Sequence, residues 1–587
     1  MLCRNILVSV FFTISCMMAN AVTQSATPHG GNRTEIVFTT DVHGNFFPYD
    51  FIRLKKSDGS LARVASAVDS LREKFGKNNV VLLDNGDILQ GQPTVYYYNF
   101  IDTVSTHIAA DIYDFMKYDA ATVGNHDIET GHPVYDRVRS QCGIPVLAAN
   151  VIDTATGQPY FTPYTIIRRD GLKIAVLGLL TPAIPAWLPE RLWAGMRFEP
   201  MQETAEKWIK VIRETENPDL VFGLFHSGHD SSKTTGGFIE NASLDIAHNV
   251  DGFDAVFMGH DHVEFMDTIT NRFGHTVHVL NPANNAMNIG VLTVEKTPGG
   301  KLNLRSRIED IRSCPPSPEF MKKFGDRAGD VKKFVEKRIG ALSDSIYSRD
   351  AFFGPSAFMT LIHNLQKLIS RAEISMAAPL TSDGVIAAGP LKVADMFTLY
   401  KYENTLCTLR LTGKEIKDYL EYSYNLWIDT PSDSCHHIIK FESQSPTAAA
   451  NRLKNPSYNF DSASGITYTV NIGKPFGERI DITATADGKP FELDRTYTVA
   501  LNSYRAGGGG NHLTEGAGIA PDELTGRIVS STDKDLRYYL MKIVESSGTI
   551  EAAIETNWKF IPEKEADEAI AVDRELLFGR SSSKNQK

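Results

Sequence analysis

Five short polar clusters hold the side chains best suited to chemistry. They are Asp41-Val42-His43-Gly44, Gly86-Asp87, Gly124-Asn125-His126-Asp127, Phe225-His226-Ser227-Gly228 and Gly259-His260-Asp261-His262. Asp, Asn and His donors without cysteine suit Mn, Zn, Fe or Co, and the sequence does not rank these metals. Along an extended segment alternate side chains share one side, so Asp41 can work with His43, and His260 with His262. Any one such fragment is more often a satisfied loop than a ligand pair. Five in order, each directly behind a short apolar run, ask for a common cause.

Those apolar runs are "EIVFTT" (35–40), "NVVLL" (79–83), "DAATV" (119–123), "KIAVLGLL" (173–180), "DLVFGLF" (219–225) and "DAVFM" (254–258). They are short and rich in β-branched residues. They alternate with helical patterns such as "LARVASAVDSLREKFG" (61–76) and "PMQETAEKWIKVIRETEN" (200–217). This predicts an α/β domain over 33–312 with largely buried strands. The carboxyl ends of parallel strands share one edge of a sheet, so clusters remote in sequence meet there. Two prolines in "CPPSPEF" close this domain, and a charged stretch over 313–340 reads as a linker helix with few core residues. Mixed helix and strand patterns over 341–562 predict a second, α+β domain. The charged, aromatic-poor end, 563–587, reads as a flexible tail.

The 587 residues are too many for one core. A formal charge of −11 argues against a grip on polymeric nucleic acid, which needs a basic face. A small phosphorylated ligand stays compatible, because a local metal charge overrides the global sign. Residues 1–21 read as an export signal: one arginine, the apolar "ILVSVFFTISCMM" and the Ala19-Asn20-Ala21 site. The apolar run is too short to span a bilayer, and no later segment of the mature chain does so. The predicted destination is the periplasm or the cell surface, with Cys16 a candidate for a lipid anchor. Cys142, Cys314, Cys407 and Cys435 have no zinc-finger spacing, and their pairing cannot be read from sequence.

The array D-x-H, G-D, G-N-H-D, H and G-H-x-H resembles that of the calcineurin-like metallophosphoesterases. With its second domain the chain is similar, over about residues 33–562, to the 5′-nucleotidase and 2′,3′-cyclic-nucleotide phosphodiesterase superfamily. The resemblance implies a four-layer α-β-β-α metallophosphoesterase domain followed by a 5′-nucleotidase-type C-terminal domain. It also implies two divalent ions: Asp41, His43 and His262 would hold one, Asn125, His226 and His260 the other, and Asp87 both. In paired sites of this kind the ions lie roughly 3.5–4 Å apart. A neutral amide at Asn125 ligates without cancelling more of the ions' charge, so the site stays attractive to phosphate. By resemblance His126 faces the phosphate and stabilises charge or assists the leaving oxygen. Glu129 stands where relatives carry the aspartate that orients this histidine, and Asp127 takes a supporting role.

For the substrate side, "SRDAFFGPSAF" (348–358) resembles a segment delivering a phosphate-binding arginine, here Arg349. "PSYNFDSASGITY" (456–468) and "LNSYRAGGGGNHL" (501–513) resemble the segments of a base-stacking aromatic pair. Tyr504 is one partner, and Tyr458 and Phe460 compete for the other, with Tyr458 favoured. Such a pair selects nucleotides as a class rather than one base. "SMAAPLT" (375–381) lacks the second arginine of 5′-nucleotidases, and "GGGGNHL" lacks their ribose-binding aspartate. "AAP", "ENTL", "YNFD" and "YRAGGG" resemble the cyclic-phosphodiesterase/3′-nucleotidase branch. The expected activity is therefore hydrolysis of 2′,3′-cyclic nucleotides by a metal-activated water, followed by removal of the 3′-phosphate. A 5′-nucleotidase or UDP-sugar hydrolase is the alternative enzyme. A surface nucleotide-binding protein without catalysis is the alternative from another class, disfavoured by the intact set of ligand positions.

Overall fold

The computed structural model describes residues 33–232, 234–431, 437–442 and 452–579. The proposed export signal, Cys16 and Cys435 lie outside them.

The first domain is built on two six-stranded sheets. One has the strand order 302–310, 288–296, 33–39, 80–84, 120–122, 146–147, and the other 264–270, 276–282, 255–258, 220–226, 172–180, 164–169. Each sheet has a parallel centre; the first is antiparallel only on the side of 288–296 and 302–310, whereas the second is antiparallel at both edges. The strands read as near-continuous apolar runs because both of their faces are covered. Ile36, Phe38, Val81 and Leu83 of one sheet meet Val176, Phe222 and Phe257 of the other, with Phe38 stacked on Phe257 at 4.6 Å. The alternate residues Val37 and Leu82 pack outward against the helix Leu61–Phe75. Leu177, Val221 and Val256 pack against the helix Met201–Glu216. Helix, sheet, sheet, helix is the expected four-layer order.

Two expectations are corrected here. The expected helix is present as Pro318–Glu336, but it buries Phe320, Phe324, Val331 and Val335 against the first domain, more core than its charged sequence suggests. Its apolar residues sit on one face at helical spacing, sparse enough in sequence to be hidden among charges. The supposed tail also contains a helix, Glu563–Phe578, with Ala566, Ala569 and Asp573 buried. The Asp573 carboxylate accepts the backbone N–H groups of Ile438 and Ile439 at 2.9 and 3.1 Å, and Ile570 and Leu577 pack beside it on the second-domain core.

The second domain centres on a five-stranded mixed sheet, ordered 462–464, 374–377, 496–502, 405–412, 528–535. The helix Ala357–Ser370 is capped by Ser356, and Gly413–Trp427 by a Thr412/Glu415 capping box. Among the described residues no helix is long and apolar enough to cross a membrane.

Candidate metal centre

All five polar clusters emerge at the carboxyl ends of parallel first-domain strands and meet at one edge. The backbone there is unusual. Asp41, His43, Asp87, His260 and His262 all have positive φ, between 49° and 73°. Side chains other than glycine seldom take this conformation, and such strain gathers at functional sites. A Cβ at Gly124 would come within 2.1 Å of Asp87 Oδ1, so only glycine lets the Asn125 turn approach Asp87.

Two donor groups result, Asp41-His43-His262 and Asp87-His226-His260, each with ligand atoms within 4.8 Å of one another. The ring orientations are set from behind. His43 Nδ1 lies 3.1 Å from the Gln90 carbonyl, and His226 Nδ1 lies 2.7 Å from that of Asn85. His260 Nε2 lies 3.2 Å from Glu240 Oε1, whose partner oxygen accepts the Thr235 hydroxyl at 2.7 Å. Each of these acceptors takes a ring N–H, so the opposite nitrogen turns a lone pair inward. His43 Nε2 then faces His262 Nε2 at 3.0 Å. His226 Nε2 faces Asn125 Oδ1 at 3.1 Å and Asp87 Oδ2 at 3.2 Å, and His260 Nδ1 faces Asn125 Oδ1 at 2.8 Å.

Acceptors therefore converge on acceptors. The buried oxygens Asp41 Oδ1 and Asp87 Oδ2 make no hydrogen bond, although buried polar atoms almost always do. A divalent metal satisfies such a set, and the donors present fit one; a proton on His226, 3.2 Å from Asp87 Oδ2, competes for the same charge. The same field acts on protons. Burial opposes a charge on His226, but Asp87 and Asp41 outweigh it and raise the imidazole to about 10. Burial together with the neighbouring His262 pushes His43 down to about 3.

Asn125 and His126 begin a short helix, Asn125–Glu129, rather than continuing an extended loop. Successive helical side chains diverge by about 100°, which separates their tasks. Asn125 turns to His226 and His260, whereas His126 Nδ1 pairs with Glu129 Oε2 at 2.6 Å. Glutamate thus reaches the imidazole, with one methylene more than aspartate. The His126 backbone N–H donates to Asp87 Oδ1 at 2.8 Å, tying the pair to the donor cluster. The Asp127 carboxylate gathers the N–H groups of Gly124, Asp87, Ile88 and Leu89, clasping two of the loops together.

On the second domain the predicted residues part company. Phe460 is fully buried and lies flat on Trp427, 5.4 Å between centroids and 1° between planes. It is a core residue and not a base partner, which corrects that expectation. Tyr458 and Tyr504 do meet, but edge to face, at 6.4 Å and 87°. They form a corner rather than a parallel slot. The Arg349 guanidinium lies over Tyr347 and Phe578, on an exposed surface beside the C-terminal helix. A different arginine holds the Tyr458 and Tyr504 segments together. Arg505 pairs with Asp461 at 2.9 Å and donates to the carbonyls of Tyr458 and Gly509. A Cβ at Gly510 would come within 2.0 Å of Arg505 Nη1, so the glycine run wraps a guanidinium.

Three residues near the centre escaped the sequence reading: Glu240, Trp187, whose ring packs 5.5 Å from His260, and Asn404. Asn404 sits inside the quoted "ENTL", but nothing in that string says that it reaches the other domain.

A double sheet with acceptor-lined loops at one edge defines a metallophosphoesterase, a phosphoric ester hydrolase. Residues 34–264 match the family model of the calcineurin-like phosphoesterases, and 338–515 match that of the 5′-nucleotidase C-terminal domain. The chain thus carries a calcineurin-like phosphoesterase domain followed by a 5′-nucleotidase C-terminal domain. It is 28% identical to the trifunctional nucleotide phosphoesterase protein YfkN of Bacillus subtilis, over 90% of this chain and 39% of that protein, so it spans well under half of that relative. It is 26% identical to the 2′,3′-cyclic-nucleotide 2′-phosphodiesterase/3′-nucleotidase of Haemophilus influenzae, over 90% of this chain and 87% of that one. A solved Staphylococcus aureus structure, in complex with α-ketoglutarate, shares the fold with a TM-score of 0.75 at 21% identity, covering 90% of this chain and 99% of the other.

Proposed function

We propose that the chain is an exported, dinuclear-metal phosphohydrolase of nucleotides, a 2′,3′-cyclic-nucleotide 2′-phosphodiesterase that also acts as a 3′-nucleotidase. The observation that carries the metal reading is the pair of buried, hydrogen-bond-free oxygens, Asp41 Oδ1 and Asp87 Oδ2, each inside a cluster of inward lone pairs. Asp41, His43 and His262 would hold one ion, Asn125, His226 and His260 the other, and Asp87 both. When bound, such ions supply Lewis-acid charge to the phosphoryl oxygens. The nucleotide reading is supported by the names of the two relatives, the Tyr458/Tyr504 corner and the absence of a second arginine in "SMAAPLT". Export rests on the order of charge, apolar run and Ala-x-Ala at the N-terminus.

The chain's own residues then divide the remaining work. Glu129 accepts a hydrogen bond from His126 Nδ1–H and fixes its ring, so Nε2 is the working atom. From there it hydrogen-bonds a phosphoryl oxygen or protonates the departing ribose oxygen. In the first hydrolysis the P–O2′ bond breaks, the oxygen of water ends on phosphorus, and a proton reaches O2′. The second hydrolysis cleaves P–O3′ and frees phosphate. The deciding experiment is a panel of 2′,3′-cyclic, 3′- and 5′-nucleotides on metal-reconstituted protein. Higher kcat/KM for the cyclic and 3′-nucleotides is expected. A preference for 5′-nucleotides or UDP-sugars would hand the function to a 5′-nucleotidase or UDP-sugar hydrolase.

A further inference from the structure

The second domain reaches the His126-Glu129 pair through one loop, Tyr400-Lys401-Tyr402-Glu403-Asn404, between the helix Val393–Leu399 and the strand Thr405–Thr412. Asn404 is 6% exposed, and its Nδ2 lies 3.4 Å from Glu129 Oε1. The other oxygen of Glu129 is the one that holds His126, at 2.6 Å. One carboxylate is thus shared between an imidazole of its own domain and an amide of the other. Tyr402 lies parallel to the His126 ring, 5° between planes and 6.5 Å between centroids.

The loop is fixed from behind by Arg537, which is fully buried. Its guanidinium donates to the Tyr400 carbonyl at 3.0 Å, the Lys401 carbonyl at 2.7 Å and the Glu403 carboxylate at 3.0 Å. It also stacks over Phe397 at 3.9 Å and over Tyr96 of the first domain at 5.0 Å. The preceding residue, Leu536, donates its N–H to the Asn404 carbonyl at 2.9 Å. Burying a guanidinium is costly unless it is paired. Here its hydrogen bonds go to the backbone and side chain of this one loop.

We infer that Asn404 is a positioning residue of the phosphoesterase site: it holds Glu129, which holds His126, so the working pair is assembled across the domain boundary. This rests on the reading of His126 given above. A glutamate tied by one oxygen can still swing about its extra methylene, and a second tie removes that freedom. A neutral amide does so without cancelling the negative charge that the imidazole needs, as a lysine there would.

The test measures kcat, KM, bound metal and Tm on bis(p-nitrophenyl) phosphate for His126→Ala, Glu129→Ala, Glu129→Asp, Asn404→Ala and Asn404→Asp. It adds the pairs Glu129→Ala/Asn404→Ala and Glu129→Asp/Asn404→Gln. Asn404→Ala is expected to lower kcat about 10-fold with metal retained, the usual size for a residue supporting a functional histidine. Asn404→Asp keeps the shape, and so the packing, and is expected to lose at least as much. With Glu129 already alanine, removing the Asn404 amide should cost less than about twofold more, because contacts acting through one residue are not additive. The pair of shorter acid and longer amide should recover most of the activity that Glu129→Asp loses alone. Wild-type kcat in Asn404→Ala and Asn404→Asp beside an impaired His126→Ala would overturn this inference alone. So would an equal loss in both Glu129 backgrounds, or a loss explained by missing metal. A fully active His126→Ala would instead overturn the reading on which it rests.

Discussion

The edge of the first domain and the loops of the second are built on opposite principles. The first-domain loops leave acceptors facing acceptors, with two buried carboxylate oxygens unbonded. The second-domain loops are held by buried arginines. Arg505 ties the Tyr458 and Tyr504 segments together, and Arg537 ties the loop of Tyr402 and Asn404. One region is incomplete until a cation arrives, while the other carries its cations as side chains. A built-in charge deficit provides avidity for a metal. Internal pairing provides fixed shape for an organic ligand. On the proposed function, metal affinity and substrate shape would be controlled by separable residues.

Removing the metals breaks the comparison most completely. Chelation should abolish phosphatase activity, and Asp87→Ala should be the most damaging ligand change because that carboxylate would serve both ions. Full turnover in a sample shown by elemental analysis to be metal-free would end the two-metal reading. His126→Ala comes next, with turnover falling about 10²–10⁴-fold, the range for a positioned acid–base group. Elemental analysis should find its metals retained, whereas Asn125→Ala should weaken one of them.

Phe460→Ala probes the other region and should cost about 3–5 kcal/mol of stability, as a large core truncation does. Denaturant unfolding measures it, and the KM for nucleotides in the surviving folded fraction should hold. Tyr504→Ala should do the reverse. Stacking contributes about 1–3 kcal/mol per base, so kcat/KM for nucleotides should fall roughly 5- to 150-fold. A methyl phosphodiester, which has no base, should scarcely notice. Equal losses on both substrates would make Tyr504 packing rather than a ligand contact. The smallest effect is expected at Arg349→Ala, less than about twofold in KM, since exposed guanidinium contacts contribute little.

Much of the first domain was legible because its signals are local. Strands covered on both faces must be apolar along their length, and each functional cluster follows such a strand directly, as His226 follows "DLVFGLF". What stayed hidden depends on tertiary contact. Tyr458 and Phe460 stand two residues apart in one segment, and only the position of Trp427 decides which of them is core. Asn404 lies 275 residues from Glu129, and no periodicity points across that interval. The helix Glu563–Phe578 has the composition of a solvated tail, and it is held by Asp573 on two backbone amides together with a thin apolar stripe, Ala566, Ala569, Ile570 and Leu577, that is hidden among charges in the sequence. Arg349 looked like a ligand because of its neighbours in sequence, while in space its neighbours are Tyr347 and Phe578.

The positive φ angles at Asp41, His43, Asp87, His260 and His262 bear on anyone who would re-engineer this enzyme for a different ion. At these positions a side chain is chosen together with a backbone shape. A β-branched replacement such as threonine or valine would meet the left-handed conformation as a steric penalty and bend the loop. Its effect would then mix geometry with chemistry. Asparagine and glycine tolerate that conformation, so they are the substitutions that remove or soften a donor and leave the loop where it was. A metal-swapping library at these positions should therefore draw first on residues at ease with left-handed backbone, and only second on the donor atoms they carry.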